Sequence, residues 1–157
     1  MGKFAEAFGE KYQQAVSEIR TKSFVMGGHE FKVRIPLNAE MDALLKRITE
    51  VPEDKAKERL DKMTSALQES PPENVEIKEN GDVVIDGRST KEMVASILML
   101  ENRIVEYVRL LIPLNGDLSD ITYADIDEEF PFSTQLELIE KISEVIQPGY
   151  KESRKNF

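Results

Sequence analysis

The chain has 157 residues, 40% of them hydrophobic, which suits one domain with its own core; we place it at residues 1–149, with a basic tail at 150–157. Cysteine is absent, so disulfides, thiolate nucleophiles and cysteine metal sites are excluded. The net charge is −9, and the stretch from Asp117 to Glu144 carries nine acidic residues against one basic residue. Such a surface repels phosphate backbones, so we expect no nucleic-acid partner.

The first segment, Lys3 to Arg20, has the spacing of an amphipathic helix. Its apolar residues recur every three or four positions and form a narrow stripe: Phe4, Phe8, Tyr12, Val16 and Ile19. A stripe of this kind has to pack against something, within the chain or outside it. We therefore take Phe4, Phe8 and Tyr12 as candidate protein-binding residues.

A β-hairpin is predicted at about 23–35, with Gly27-Gly28 as its two-residue turn. This register sets Met26 opposite His29 and Phe24 opposite Phe31, and it places four residues on one face: Phe24, Met26, Phe31 and Val33. The stretch GGHEF differs by one residue from the signature of diguanylate cyclases. It begins at residue 27, after one short helix, and has histidine where those enzymes need an acid, so we interpret it as a turn.

Two helices are predicted next. Asn38 is a suitable cap for the first, and Pro52 suits the first turn of the second, which runs to about Glu69. The apolar positions of the second helix form a thin seam: Ala56, Leu60, Met63 and Leu67. An edge helix packed on its own core is the favoured interpretation, and an exposed seam for a partner helix is the alternative. Leu60, Met63 and Leu67 are therefore further candidate protein-binding residues.

A second hairpin is predicted at about 75–86. A two-residue turn at Asn80-Gly81 would set Glu76 against Ile85. A three-residue loop with Gly81 in the left-handed region instead pairs Ile77 with Val83 and Val75 with Ile85, and we prefer this register.

The remaining chain is predicted to be helical. Ser89 and Glu92 form a capping box for a central helix that reaches Ile112. A short helix over 122–130 and a last helix over 133–146 follow, and four residues should lie on the buried face of the last one: Leu136, Ile139, Ile142 and Ile146. The predicted fold is α+β and predominantly helical, with five to six helices and two short β-hairpins.

No residue pattern supports catalysis or metal binding. Aligned as a calcium loop from Asn115, the chain has Asp120 where glycine should stand and Ile126 where a bidentate glutamate should stand. The single histidine, His29, has no second histidine or cysteine with which to hold zinc. We therefore expect no enzyme, no cofactor and no metal.

The order of these segments resembles that of the tail assembly chaperones of long-tailed (lambda-like) bacteriophages. The resemblance rests on a short amphipathic start, on SFVMGGHEFKVRIPLNAEMDALLKRI, on a helical body and on FPFSTQLELIEKISEVIQPGYK late in the chain. It implies a small, non-enzymatic protein of the host cytoplasm that binds the tape-measure protein, keeps it soluble and recruits tail-tube subunits. It further implies absence from the mature virion.

The same resemblance implies a longer product made by a programmed frameshift near the end of the gene. Lys155-Asn156-Phe157 can be encoded as AAA AAT TTT, which contains the slippery heptamer A AAT TTT. Two alternatives stay open, namely an acidic inhibitor that mimics DNA and another phage structural subunit from the neck or tail end. A homo-oligomer is possible in each case, and no membrane partner is expected, because the longest apolar run, 93–100, is too short to span a bilayer.

Overall fold

A computed structural model describes residues 2–69 and 73–147, so the predicted tail at 150–157 lies outside the described residues. The helices are α1 Lys3–Ile19, α2 Asn38–Thr49, α3 Glu53–Glu69, α4 Thr90–Val108, α5 Tyr123–Glu129 and α6 Phe132–Ile146. The strands are β1 Thr21–Met26, β2 His29–Arg34, β3 Val75–Ile77, β4 Val83–Ile85, β5 Arg88–Ser89 and β6 Leu111–Ile112. Of the residues that the structure describes, 61% are helical, and two small antiparallel sheets accompany the helices, so the predicted fold class is confirmed.

Backbone contacts group the chain into two compact units. Among the described residues, the first unit takes 2–43 and 104–147, and the second takes 44–69 and 73–103. The helices α2 and α4 each contribute residues to both units. The single domain expected over 1–149 stays a prediction.

The first unit contains a three-stranded antiparallel sheet in the order β1-β2-β6. Met26 pairs with His29 and Phe24 pairs with Phe31, which confirms the predicted register. Gly27 and Gly28 have φ angles of 59° and 77°. Two consecutive positive φ angles are what a tight hairpin turn needs and what only glycine adopts without strain, so the two glycines fix the register of the hairpin.

The third strand of this sheet was not predicted. The central helix α4 ends at Val108, and Leu111 pairs with Val33 on β2 instead of continuing the helix. The amide of Arg34 donates to the carbonyl of Leu110 at 2.9 Å, which extends the pairing by one bond. Pro113 disfavours a helical conformation at the residue before it, and the edge of β2 offers hydrogen bonds to an extended chain. The helical prediction for Leu111 and Ile112 was therefore wrong.

The core of the first unit lies where α6 packs on β1 and β2. Its buried apolar residues are Val33, Ile104, Tyr107, Val108, Leu110, Ile126, Leu138 and Ile142. Ile142 was correctly predicted, but Leu136 is 38% exposed, and the buried face of α6 runs through Gln135 and Leu138 instead. Spacing alone could not favour this face, because it includes a polar residue whose burial depends on partners elsewhere in the unit.

An ion cluster closes the base of the first hairpin. Glu40, in the first turn of α2, accepts hydrogen bonds from Arg34 at 2.6 Å and from Arg20 at 2.7 Å. It also accepts from the amide of Leu37 at 3.2 Å, and the carbonyl of Leu37 accepts the first helical bond. Leu37 thus occupies the capping position, while Asn38, the predicted cap, is the first helical residue. The cluster joins the end of α1, the end of β2 and the start of α2.

This cluster should make stability depend on acid pH. The hydrogen bond from Arg34 is the main cause that lowers the pKa of Glu40 from 4.5 to about 2. Because the pKa is lowered by folding, the stabilisation is fully present above about pH 4.5 and is lost as the pH falls toward 2. We expect Glu40→Gln to lower the free energy of unfolding at pH 7 by about 1 kcal/mol, since the carboxylate is partly exposed and solvent screens the pair.

Urea unfolding from pH 7 down to pH 2 measures this effect. The difference between Glu40→Gln and the unsubstituted chain should shrink steadily below about pH 4.5. Glu30→Gln, which removes an exposed carboxylate from the same hairpin, is the matched control and should leave the profile unchanged. A Glu40→Gln profile that coincides with that of the unsubstituted chain would show that the cluster contributes nothing to stability.

The second unit contains the sheet β3-β4-β5. Val75 pairs with Ile85 and Ile77 pairs with Val83, and Gly81 has a φ of 86°, so the preferred register is confirmed. A second tight turn at Asp86-Gly87 adds β5, which was not predicted although Asp-Gly is a strong hairpin signal.

At the start of α4 the predicted cap Ser89 is in place, and a residue outside the predicted capping box supports it. The carboxylate of Asp82 accepts hydrogen bonds from the hydroxyls of Ser89 and Thr90, while Ser89 accepts one from the amide of Glu92. The bond from Ser89 is the main cause that lowers the pKa of Asp82. An aspartate on the preceding hairpin thus holds the two hydroxyl groups at the start of the helix.

Candidate functional site

An exposed row of aromatic rings lies along α1. The ring centroids of Phe4 and Phe8 are 5.9 Å apart, and those of Phe8 and Tyr12 are 5.7 Å apart. Phe4 is 67% exposed and Phe8 is 64% exposed, while Tyr12 is half-buried. The structure thus brings the first three predicted binding residues together, and we call Phe4, Phe8 and Tyr12 the aromatic ladder.

The helix that carries the ladder is weakly attached. None of its residues is buried, although it runs from Lys3 to Ile19. Gly9 interrupts it with a φ of 77°, a conformation that side chains with a Cβ rarely adopt. Most helical stability in proteins comes from burying an apolar face, and here Phe4, Phe8 and Ile19 leave that face open to solvent. An exposed aromatic face of this kind is a candidate binding surface.

The second group of predicted binding residues lies on α3, in the other unit. Leu60, Met63 and Leu67 are all half-buried rather than exposed. The guanidinium of Arg59 donates to both carboxylate oxygens of Glu101 on α4, at 2.7 and 3.3 Å, so α3 is held to α4 within this unit. These observations favour the edge-helix interpretation of the α3 seam, and the ladder is the better candidate.

A groove beside the first hairpin turn was not predicted. It has a volume of about 380 Å³ and is lined by residues from β2, β6 and the loop that follows: His29, Glu30, Phe31, Lys32, Leu111, Ile112, Pro113, Leu114, Asn115 and Leu118. The ring of His29 meets that of Phe31 edge-on at 4.6 Å, so the single histidine stands at the rim of an apolar groove. The signal that could have indicated the groove is the apolar run Leu-Ile-Pro-Leu directly after the central helix, and Leu114 is 92% exposed.

The loop that partly matches a calcium-binding pattern uses its carboxylates for local structure. Asp117 accepts hydrogen bonds from the amide and hydroxyl of Ser119, which lower its pKa. Asp125 and Thr122 form a capping box at the start of α5, and the amide and hydroxyl of Thr122 lower the pKa of Asp125. Within residues 2–69 and 73–147, no group of three potential ligand side chains is arranged to hold a metal ion.

Comparisons with protein-family models, with curated proteins and with solved structures give no match. In the part of the chain that the structure describes, no helix combines the length and apolar character needed to cross a membrane. The aromatic ladder is an apolar surface that the described fold leaves largely exposed.

Proposed function

We propose that this protein is a non-enzymatic tail assembly chaperone of a long-tailed bacteriophage. It binds the tape-measure protein, keeps that protein soluble and promotes assembly of tail-tube subunits around it. It acts in the host cytoplasm and is absent from the mature virion. A frameshifted longer product would supply further contacts to the tube subunits.

The aromatic ladder is the observation that carries the proposal. A long helical client with an apolar face needs an apolar surface to lie along, and Phe4 and Phe8 present such a surface at helical spacing. Aromatic side chains bury a large area at a small cost in rotamer entropy, which suits a binding surface. The net charge of −9 keeps the complex soluble and steers basic clients toward it.

The DNA-mimic alternative requires a long row of exposed carboxylates. In the acidic stretch, Asp117 and Asp125 accept hydrogen bonds from their own neighbours, as described above. All nine acidic side chains of the stretch are exposed, but they are divided among the loop before α5, α5 itself and α6, where Glu137, Glu140 and Glu144 form a row. This row is short beside the phosphates that a typical protein–DNA interface contacts, so the chaperone is preferred.

Co-expression with the tape-measure protein encoded in the same gene neighbourhood tests the proposal. The unsubstituted chain should keep this client in the soluble fraction and co-purify with it. The double variant Phe4→Ala/Phe8→Ala should lose most of the soluble client, because the ladder supplies the apolar contact area. Since both rings are exposed, circular dichroism of the variant should show a fold like that of the unsubstituted chain.

Phe132→Ala is the matched control, because it removes another exposed phenylalanine, 51% accessible, from a different helix of the same unit. It should keep full client solubility. If the unsubstituted chain leaves the client insoluble, the proposed function is wrong. If the ladder variant performs as well as the Phe132→Ala control, the ladder is not the client surface.

A further inference from the structure

The apolar stripe of α1 is largely exposed to solvent, and this exposure has to be explained whatever the function of the protein. Beyond the interruption at Gly9, the helix retains residues 10–19, fewer than the roughly 12–15 residues that an isolated helix needs to be even marginally stable in water. No residue of α1 is buried in the described structure, and Ile19 at its far end is 60% exposed. A partner that packs on this stripe would bury its apolar surface and would thereby stabilise the helix.

The charges of α1 differ from those of the rest of the chain. Two copies that each carry a net charge of −9 repel one another over most of their surfaces. Along α1, Lys3 and Lys11 stand against Glu6, Glu10 and Glu18, so its net charge is +2 − 3 = −1. The helix is thus a nearly neutral strip on an acidic protein. It is a place where two copies can approach closely.

The charges beside the stripe are also self-complementary. Lys11 and Glu18 are seven residues apart, which places them on the same side of the helix, along one border of the stripe. Both side chains are exposed. When two such helices run antiparallel, Lys11 of each copy comes opposite Glu18 of the other, and a single two-fold axis forms both ion pairs.

The sizes of the apolar side chains agree with the same register. It sets Tyr12 of one copy against Ala15 of the other, a large side chain against a small one. It also brings Phe8 opposite Ile19, two residues that are 64% and 60% exposed in the single chain. Phe8 lies on the same side as Tyr12 despite the interruption at Gly9, because their rings are in contact at 5.7 Å.

We propose that α1 pairs antiparallel with α1 of a second copy of this chain, in the register that joins Lys11 to Glu18 of the other copy. The pairing uses the same stripe as the aromatic ladder, so a client would displace the second copy. The pairing does not depend on the proposed function, because the complementary charges of Lys11 and Glu18 belong to the helix whatever the client is.

A charge-exchange experiment on the full chain tests this pairing by sedimentation velocity over a dilution series. The unsubstituted chain should be a dimer. Lys11→Glu and Glu18→Lys should each weaken the dimer by roughly tenfold or more, because each turns two attractive pairs into two repulsive ones. The double variant Lys11→Glu/Glu18→Lys should recover the dimer. An equimolar mixture of the two single variants should form a heterodimer, in which both ion pairs are again attractive.

Lys57→Glu is the matched control, because it makes the same change of charge at an exposed position on α3. It should dimerise like the unsubstituted chain, which separates local pairing from general repulsion. A monomeric unsubstituted chain would overturn the pairing, and so would single variants that dimerise like the control. A mixture of the two single variants that stays monomeric would overturn the register. None of these measurements involves a client, so a failed pairing and a failed chaperone are told apart.

Discussion

Replacing Ile142 with alanine is expected to lower the free energy of unfolding by roughly 3 kcal/mol. Ile142 is fully buried on α6, the helix that packs on β1 and β2 of the first unit. The substitution removes three carbons from a closely packed interior and leaves a cavity that its neighbours fill only in part. Proteins of ordinary size are stable by only about 5–15 kcal/mol, so this single change removes a large share of the total.

Urea unfolding followed by circular dichroism measures the loss as a shift of the midpoint at constant slope. Leu136→Ala is the matched control, because Leu136 is on the same helix, was predicted to be buried and is 38% exposed. It should cost at most about 1 kcal/mol, since much of the side chain already meets water. Equal losses for the two variants would contradict the assignment of the buried face of α6.

Local signals explain why the hairpins could be predicted from the sequence. Gly27-Gly28 and Gly81 need positive φ angles, and the alternating apolar residues beside them have only one register that puts them on a common face. Both registers are confirmed. The third strand of the first sheet lacked such a constraint, whereas the turn before β5 carried one in Asp86-Gly87 that was overlooked. Leu111-Ile112 continues the apolar spacing of α4, and only the free edge of β2 makes it a strand.

Contacts between residues far apart in the sequence account for the rest. Arg20 and Glu40 are separated by twenty positions, and nothing in their immediate surroundings indicates an ion pair. In the candidate site, too, local spacing predicts one part and contacts between distant residues determine the other. The spacing of Phe4, Phe8 and Tyr12 predicted a stripe, and the structure adds that the stripe stays open. The groove beside His29 was not predicted, because its shape depends on the unpredicted strand β6, and the apolar run Leu-Ile-Pro-Leu was the one local signal for it.

Replacing Gln135 with leucine is expected to cost roughly 2 kcal/mol, although the change makes the interior more apolar. The side chain is fully buried, and its amide nitrogen donates to the carbonyl of Phe130 at 2.8 Å and to the carboxylate of Asp127 at 3.0 Å. Its amide oxygen accepts a hydrogen bond from the hydroxyl of Tyr123 at 2.9 Å. Leucine satisfies none of these groups, and Phe130 and Tyr123 are half-buried, so the loss of a hydrogen-bond partner there costs more than the bond contributed.

Gln135→Glu separates hydrogen bonding from packing, because it keeps the shape of the side chain. At neutral pH the new carboxylate faces the carboxylate of Asp127 and the carbonyl of Phe130, so it should destabilise the fold. Burial and these neighbours raise the pKa of the new carboxyl above its unfolded value. The deficit should therefore be present above that raised pKa and shrink as the pH falls through it, where the protonated group again donates a hydrogen bond.

Urea unfolding at pH 7 and in mildly acid buffer distinguishes the two variants. The deficit of Gln135→Leu should be nearly independent of pH, and that of Gln135→Glu should shrink in acid. Gln147→Leu, at an exposed position at the end of the same helix, should change stability by less than about 0.5 kcal/mol. A Gln135→Leu variant as stable as the unsubstituted chain would mean that packing alone holds α5 on α6, and that the buried amide contributes nothing to joining them.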